Sequence, residues 1–342
     1  MNSRARWLAL GIVALIVLGA AAVYGVNAFL SYQRGQAASS SVDSTIAKGV
    51  TADGPRIVFR NTAAGDGYGL VASVPLADHS GARTLSSLSC DRVYATERYL
   101  SCLRTQRGIV TTFEAVLYTA SGDEVKTSPL PGVPSRTRIS ADSRLVASTA
   151  FVTGMSYATV GFSTQTTLST TDGVDYGNLE GFTTLIDGKP LTSVDRNYWG
   201  ITFGSDDTTF YATAASGNTT WLVRGTLAAR TLTAVTENAE CPSLSPDGTH
   251  VAYKKRVGSG PVAHWAIAVF DLASGTETVL SEKRSVDDQV EWLDDSTLLY
   301  GLLSTETPGD SDIWSIGTNV DAKPAKFIEH AWSPSVVRAE DK

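Results

Sequence analysis

Four histidines, three cysteines and a scatter of carboxylates are the side chains of this 342-residue chain from which a reactive or metal-binding centre could be built. His79, His250, His264 and His330 show no His-x-His or HExxH spacing, and Cys90, Cys102 and Cys241 contain no C-x-x-C pair, so zinc has no local signature. A serine hydrolase needs its nucleophile on a G-x-S-x-G elbow. The nearest fragment, Gly154-Met155-Ser156-Tyr157-Ala158, lacks the last glycine. A hard cation such as Ca²⁺ takes oxygen ligands that distant segments can deliver singly. For that chemistry Asp91, Glu240, Asp288, Glu329 and His330 are the candidates. No cofactor motif accompanies them, and the expectation is a chain without catalytic residues. Whether the five meet depends on the elements that carry them.

Those elements announce themselves as a repeat: an apolar residue, a tight polar turn with an acid at its third step, then an alternating strand. Clear copies begin at Ile139, Phe203, Leu244 and Trp292, with acids at Asp142, Asp206, Asp247 and Asp295. A weaker copy is read from Val93, with Thr96 in the acid's place, and a truncated one from Trp332. The pattern is that of a β-hairpin corner, where Asp and Ser side chains bond back to the chain. Further strand pairs follow each corner, as in Trp265–Leu272 and Thr276–Leu280 around Ser274-Gly275. Four strands per 40 to 50 residues make a propeller blade. The reading is therefore all-β, a six-bladed β-propeller of four-stranded blades over residues 55–338. About 20 extra residues between Gly154 and Asn197, with Asp172-Gly173 and Asp187-Gly188, read as an added hairpin or long loops. The strand from Trp332 is expected to complete blade 1 and hide both sheet edges. In this register the five candidates, with Arg136 and Gln289, fall at the entries to innermost strands, around one mouth of a central channel.

The segment Pro242-Ser-Leu-Ser-Pro-Asp-Gly-Thr-His-Val-Ala-Tyr253 resembles the WD40-like repeat of TolB-type six-bladed propellers. The resemblance implies the fold over roughly residues 55–338. It implies no single activity, because such repeats serve envelope and translocation proteins, sensors and the propellers of oligopeptidases. The tryptophans Trp221, Trp265, Trp292, Trp314 and Trp332 read as core between blades rather than as a stacking surface.

Ahead of the repeat, Trp7–Leu30 carries no charge, and as a helix it would span about 36 Å against a hydrocarbon layer of about 30 Å. Arg4 and Arg6 precede it, so residues 1–6 are expected to be cytoplasmic and everything after the span extracytoplasmic. Cleavage after Ala22 or Ala28 is the competing reading. Residues 31–54 are small and polar and read as a flexible stalk, and 339–342 as a tail. In an oxidising compartment Cys90 and Cys102, each six residues from Thr96, are expected to pair across a hairpin, leaving Cys241 free. The net charge of −7 and pI near 5.2 give no nucleic-acid footprint. These features point to a non-catalytic, membrane-anchored extracytoplasmic module, disulfide-bonded and without a cofactor or metal. Its partner would be an envelope protein or a glycan, in envelope assembly, export or sensing. The alternative is a propeller hydrolase or lactonase with a cation at the channel mouth, built around Glu240 and Asp288.

Overall fold

The computed structural model describes residues 3–37, 42–49, 54–152, 163–206 and 208–338. The uncharged N-terminal run forms a helix, Ser3–Ala37, long and apolar enough to cross a membrane, as the helix of a signal sequence also is. Trp7, Leu15 and Tyr24 on it are exposed.

Six sheets follow, one per blade, each built on four antiparallel strands. Their inner strands are Ala331–Val337, Arg92–Ala95, Val133–Ile139, Asn197–Phe203, Glu240–Leu244 and Glu291–Asp294 in blades 1 to 6. Blade 1 is closed by the C-terminal strand, which pairs antiparallel with Arg56–Asn61 from Arg56↔Val337 to Asn61↔Ala331. The expected hairpin of the insertion is also present. Thr183–Ile186 and Lys189–Pro190 turn at Asp187-Gly188, both in the left-handed region, and widen blade 4 to six strands. Gly154–Ala158 lies outside the described residues.

The reading of residues 31–54 as a flexible stalk needs correction. The helix continues to Ala37, and Ser44–Ala47 adds a fifth strand to blade 1, parallel to Arg83–Ser89. Beyond it the Lys48 ammonium meets Asp123 of blade 2 at 2.8 Å. A small polar composition looks like a linker, yet an unpaired blade edge offers backbone partners to any extended segment within reach. Residues 38–41, 50–53 and the tail 339–342 lie outside the described residues.

Two copies of the repeat are also out of register. The corner bond runs from Ser140 N to Leu145 O and from Ser245 N to His250 O, and its blade 2 counterpart runs from Thr96 N to Tyr99 O. Thr96 thus takes the serine position, and blade 2 opens at Ala95, two residues after Val93. In the inner strands of blades 1, 4 and 5 the pairing is interrupted at Ser333, Gly200 and Cys241, each with positive φ. Aligning these bulges makes Val336, not Trp332, the blade 1 opener. The register error came from matching local residue types where only the ladder fixes phase.

The Cys90–Cys102 disulfide is present and Cys241 is a free buried thiol. The cross-strand geometry expected for the bridge is not. Cys102 lies opposite Val93, and Cys90 reaches it from the connection before the strand, with Cα atoms 5.4 Å apart. At the corners the acids hold their own turns. Partial burial opposes the charge of Asp206, but N–H donors of Thr208 and Thr209 bring its carboxyl down to about 2.

Five buried apolar clusters lie in five of the six seams between blades. The seam of blades 2 and 3 is bridged by hydroxyl pairs, Ser101–Thr137 at 2.6 Å and Thr96–Ser143 at 2.7 Å. It also holds a groove of about 220 Å³ that includes Leu117, Pro129 and Val146. Closure at blade 1 rests on strand pairing and on the fully buried Ala331 and Ser335. Removing residues 331–342 should therefore lower the stability of the whole ring, on the order of 5 kcal/mol, in one cooperative transition. A urea midpoint equal to that of the full chain would contradict this.

Candidate functional site at the channel axis

One step before the openers stand Ser335, Tyr94, Arg138, Thr202, Ser243 and Glu291 from blades 1 to 6, and all but Ser335 line the axial cavity. Alternation puts the opener in a seam and its neighbour toward the channel. Arg138 and Glu291, on opposite blades, form a buried ion pair across the axis. Arg138 also donates to Ser243 Oγ at 3.1 Å and Val290 O at 2.8 Å, and its guanidinium lies 4.6 Å from the Tyr94 ring centroid. Glu291 further accepts from Tyr94 Oη at 3.3 Å and Val336 N at 3.2 Å. Burial alone would lower the Arg138 pKa, but Glu291 and Tyr94 more than offset it and the value is raised. Burial raises that of Tyr94.

This layer is the floor of a funnel of about 300 Å³ opening at the mouth where the inner strands end. All six blades line it. Phe203, Trp292 and Val337 give apolar wall, Thr96, Thr202 and Ser245 give hydroxyls, and Glu97 and Arg338 contribute charge. Rigid walls with a few polar groups among apolar surface suit recognition of an inserted side chain or loop.

The opposite mouth, where the inner strands begin, holds a second charged layer. Asp288 pairs with Arg92 at 3.1 Å and with Arg136 at 3.7 Å. Lys254 pairs with Asp287 at 2.5 Å and lies 3.9 Å from Glu240, whose other partner is the Trp265 indole N–H at 3.2 Å. Burial, then the nearby Arg136 charge, pulls Arg92 down to about 10, so it stays charged at neutral pH. Gln289 donates to the carbonyls of Ile201 and Pro242, tying blade 6 to blades 4 and 5.

Of the five residues offered as one ligand ring, Glu240 and Asp288 share this layer, where cations occupy them. Asp91 accepts from Thr105 of its own blade at 2.6 Å. His330 pairs with Asp310 at 2.8 Å and Glu329 with Lys326 at 3.3 Å, between blades 6 and 1. Among the described residues no group of three or more His, Cys, Asp or Glu side chains is placed to hold a metal. Blade twist separates positions that a linear register makes equivalent. The axial residues Tyr94, Arg138 and Glu291 were missed, though for two of them a signal existed: Arg138 and Glu291 directly precede the repeat openers Ile139 and Trp292. The tryptophans divide. Trp292 is core, Trp221 and Trp314 border core, whereas Trp265 and Trp332 lie under cations at the strand-entry mouth.

Glu282 fixes the segment leading to Asp287–Gln289. Its carboxylate is 3% exposed and accepts from Arg284 at 2.6 Å and Tyr300 at 2.6 Å. Burial opposes its charge, but these donors hold it at about 2, below its ordinary value of 4.5. The stabilisation is complete above pH 4.5 and is lost as pH falls toward 2, on the order of 2 kcal/mol. Acid titration of stability should show this loss in the native chain and not in Glu282→Gln. For the axial pair, Arg138→Ala should cost about 3–5 kcal/mol by stranding Glu291, and Arg138→Met with Glu291→Leu should recover most of it. Equal denaturation midpoints for the single and double variants would contradict the pairing.

No family model matches the chain, and no curated protein matches its sequence. Solved structures do share its shape. TolB from Acinetobacter baumannii superposes with a TM-score of 0.54 at 14% identity, covering 85% of this chain and 68% of TolB. A chain of the nidogen/laminin complex gives 0.53 at 11% identity, covering 83% and 98%. These likenesses establish the architecture, a six-bladed β-propeller of the kind found in TolB.

Proposed function

We propose that this chain is a non-catalytic recognition module, tethered by its N-terminal helix outside the cytoplasm, that binds an envelope protein or glycan in its axial funnel. The observation that carries this reading is the saturated floor. Arg138 and Glu291 spend their hydrogen bonds on each other, on Tyr94, on Ser243 and on backbone. A general acid or base must have a proton or lone pair to offer substrate, and a floor so engaged offers a fixed surface instead. Hydroxyls and apolar walls from six blades make that surface rigid, which favours binding with little ordering cost. The uncharged helix and the Arg4/Arg6 bias support a retained anchor with the propeller outside.

Two measurements test the reading. The chain should stay with membranes after alkaline extraction, uncleaved and protease-accessible from outside. A soluble form beginning after Ala22 or Ala28 would remove the anchor. A photo-crosslinking residue at Glu97 or Ser205 on the funnel rim should capture one partner in intact cells, at least several-fold above the same probe at Val235 on the fourth strand of blade 4. Equal capture at the two places would remove the funnel.

A further inference from the structure

The segment that carries the propeller is fastened to the rim of its funnel. In blade 1 the second strand starts at the funnel end, because Arg56 pairs with Val337, the last residue of the inner strand and part of the funnel wall. The third strand, Leu70–Pro75, returns to that end, where Pro75 lies beside Arg56. The fourth strand therefore begins there with Arg83, and Ser44 pairs with Arg83 in parallel. Arg83 N–H donates to Asp43 O at 3.0 Å, so the chain already lies on the blade one residue earlier. Beyond the strand, Lys48 and Gly49 rest on the turn between the third and fourth strands of blade 2, at the same end of the ring. Lys48 meets Asp123 at 2.8 Å, and a Cβ on Gly49 would fall 2.6 Å from the Ser121 carbonyl carbon, an approach only glycine permits.

Little chain separates that rim from the uncharged run. From Leu30 the helix adds about 10 Å to Ala37, and the seven steps to Ser44 span at most about 25 Å. A propeller of this length is about 50 Å across, so its axis stands about 25 Å from its rim. With the run in a bilayer, the funnel mouth stays within about 60 Å of the lipid however the ring tilts. A ligand free in solution gains nothing from such confinement. A partner confined to the same bilayer meets the funnel at a raised effective concentration.

The lining favours polypeptide over sugar. Trp292 and Phe203 are 2% and 9% exposed, and the Trp292 indole N–H is spent on Ser243 O at 2.9 Å, so neither ring opens a face on which a sugar could stack. Ile139, Leu244 and Val337 add apolar wall that a side chain on an inserted loop would cover. Resting on the anchor and funnel readings above, we infer that the partner is a protein held in the same membrane, which presents a loop with an apolar side chain to the funnel within about 60 Å of the lipid.

The test uses the full chain in intact cells, with a cleavable photo-crosslinking residue at Glu97. A rigid helical spacer of about forty residues inserted after Ala37 lifts the propeller by about 60 Å. A flexible spacer of the same length, its ends on average about 35 Å apart, lets the propeller return. Both lie ahead of Ser44, and an unchanged urea midpoint checks that the propeller is intact. Capture should fall at least about fivefold with the rigid spacer and persist with the flexible one. After cleavage of the crosslink, the released partner should stay with alkaline-extracted membranes and be degraded by protease. Equal capture with the two spacers, a partner released into the soluble fraction, or one sensitive to glycosidase and not to protease overturns this inference and leaves the funnel reading in place. No capture at Glu97 in the chain without a spacer removes the funnel reading and this one with it.

Discussion

A charge pair buried on the axis of a ring is a constraint on every blade. Arg138 and Glu291 come from diametrically opposite blades, and neither tolerates loss of the other, because an unpaired buried ion costs several kcal/mol. Satisfying both requires Ser243, Tyr94 and the Val336 backbone at fixed distances, so blades 1, 2 and 5 are held as well. Buried polar networks of this kind specify one arrangement more than they add stability. Here the arrangement is a closed channel with a funnel on one side and a second charged layer on the other.

Closure of the ring depends on the same region. The strand that completes blade 1 ends beside the axis, where Ser335 Oγ bonds both the N–H and the carbonyl of Ala95 in blade 2. The disulfide Cys90–Cys102 lies in the apolar seam of those two blades, and the strand Ser44–Ala47 with the Lys48–Asp123 pair spans its outer rim. Three different devices thus reinforce the place where the chain's two ends meet. The next seam, between blades 2 and 3, relies on hydroxyl pairs and carries a groove. That contrast sets a hydroxyl-bridged joint directly beside one fastened by a strand, a disulfide and an ion pair.

Function follows from how these layers divide the surface. Arg92 and Lys254 pair with Asp288 and Glu240 at the mouth where the strands begin, so these two of the acids nominated for a cation already have charged partners. The opposite funnel combines apolar walls with hydroxyls from blades 2, 4 and 5.

Much of this was legible in the residues themselves. The Asp-bearing corners of Asp142, Asp206 and Asp247 carry their own turn chemistry, so blade spacing, fold class and the insertion hairpin at Asp187-Gly188 could be read locally. The uncharged N-terminal run, the complementary chain ends and the partnership of Cys90 with Cys102 could be read as well. Phase could not. Val93 and Trp332 looked like openers by residue type, while the ladder starts at Ala95 and Val336, and that shift is what hid Tyr94 and Ser335. Nor could the sequence say that Ser44–Ala47 pairs with a blade edge, because an edge accepts backbone and leaves no mark in side chains. Which carboxylates meet which cations was decided only when twisted blades closed around one axis, since contact there joins residues some 150 positions apart through geometry that no local spacing encodes.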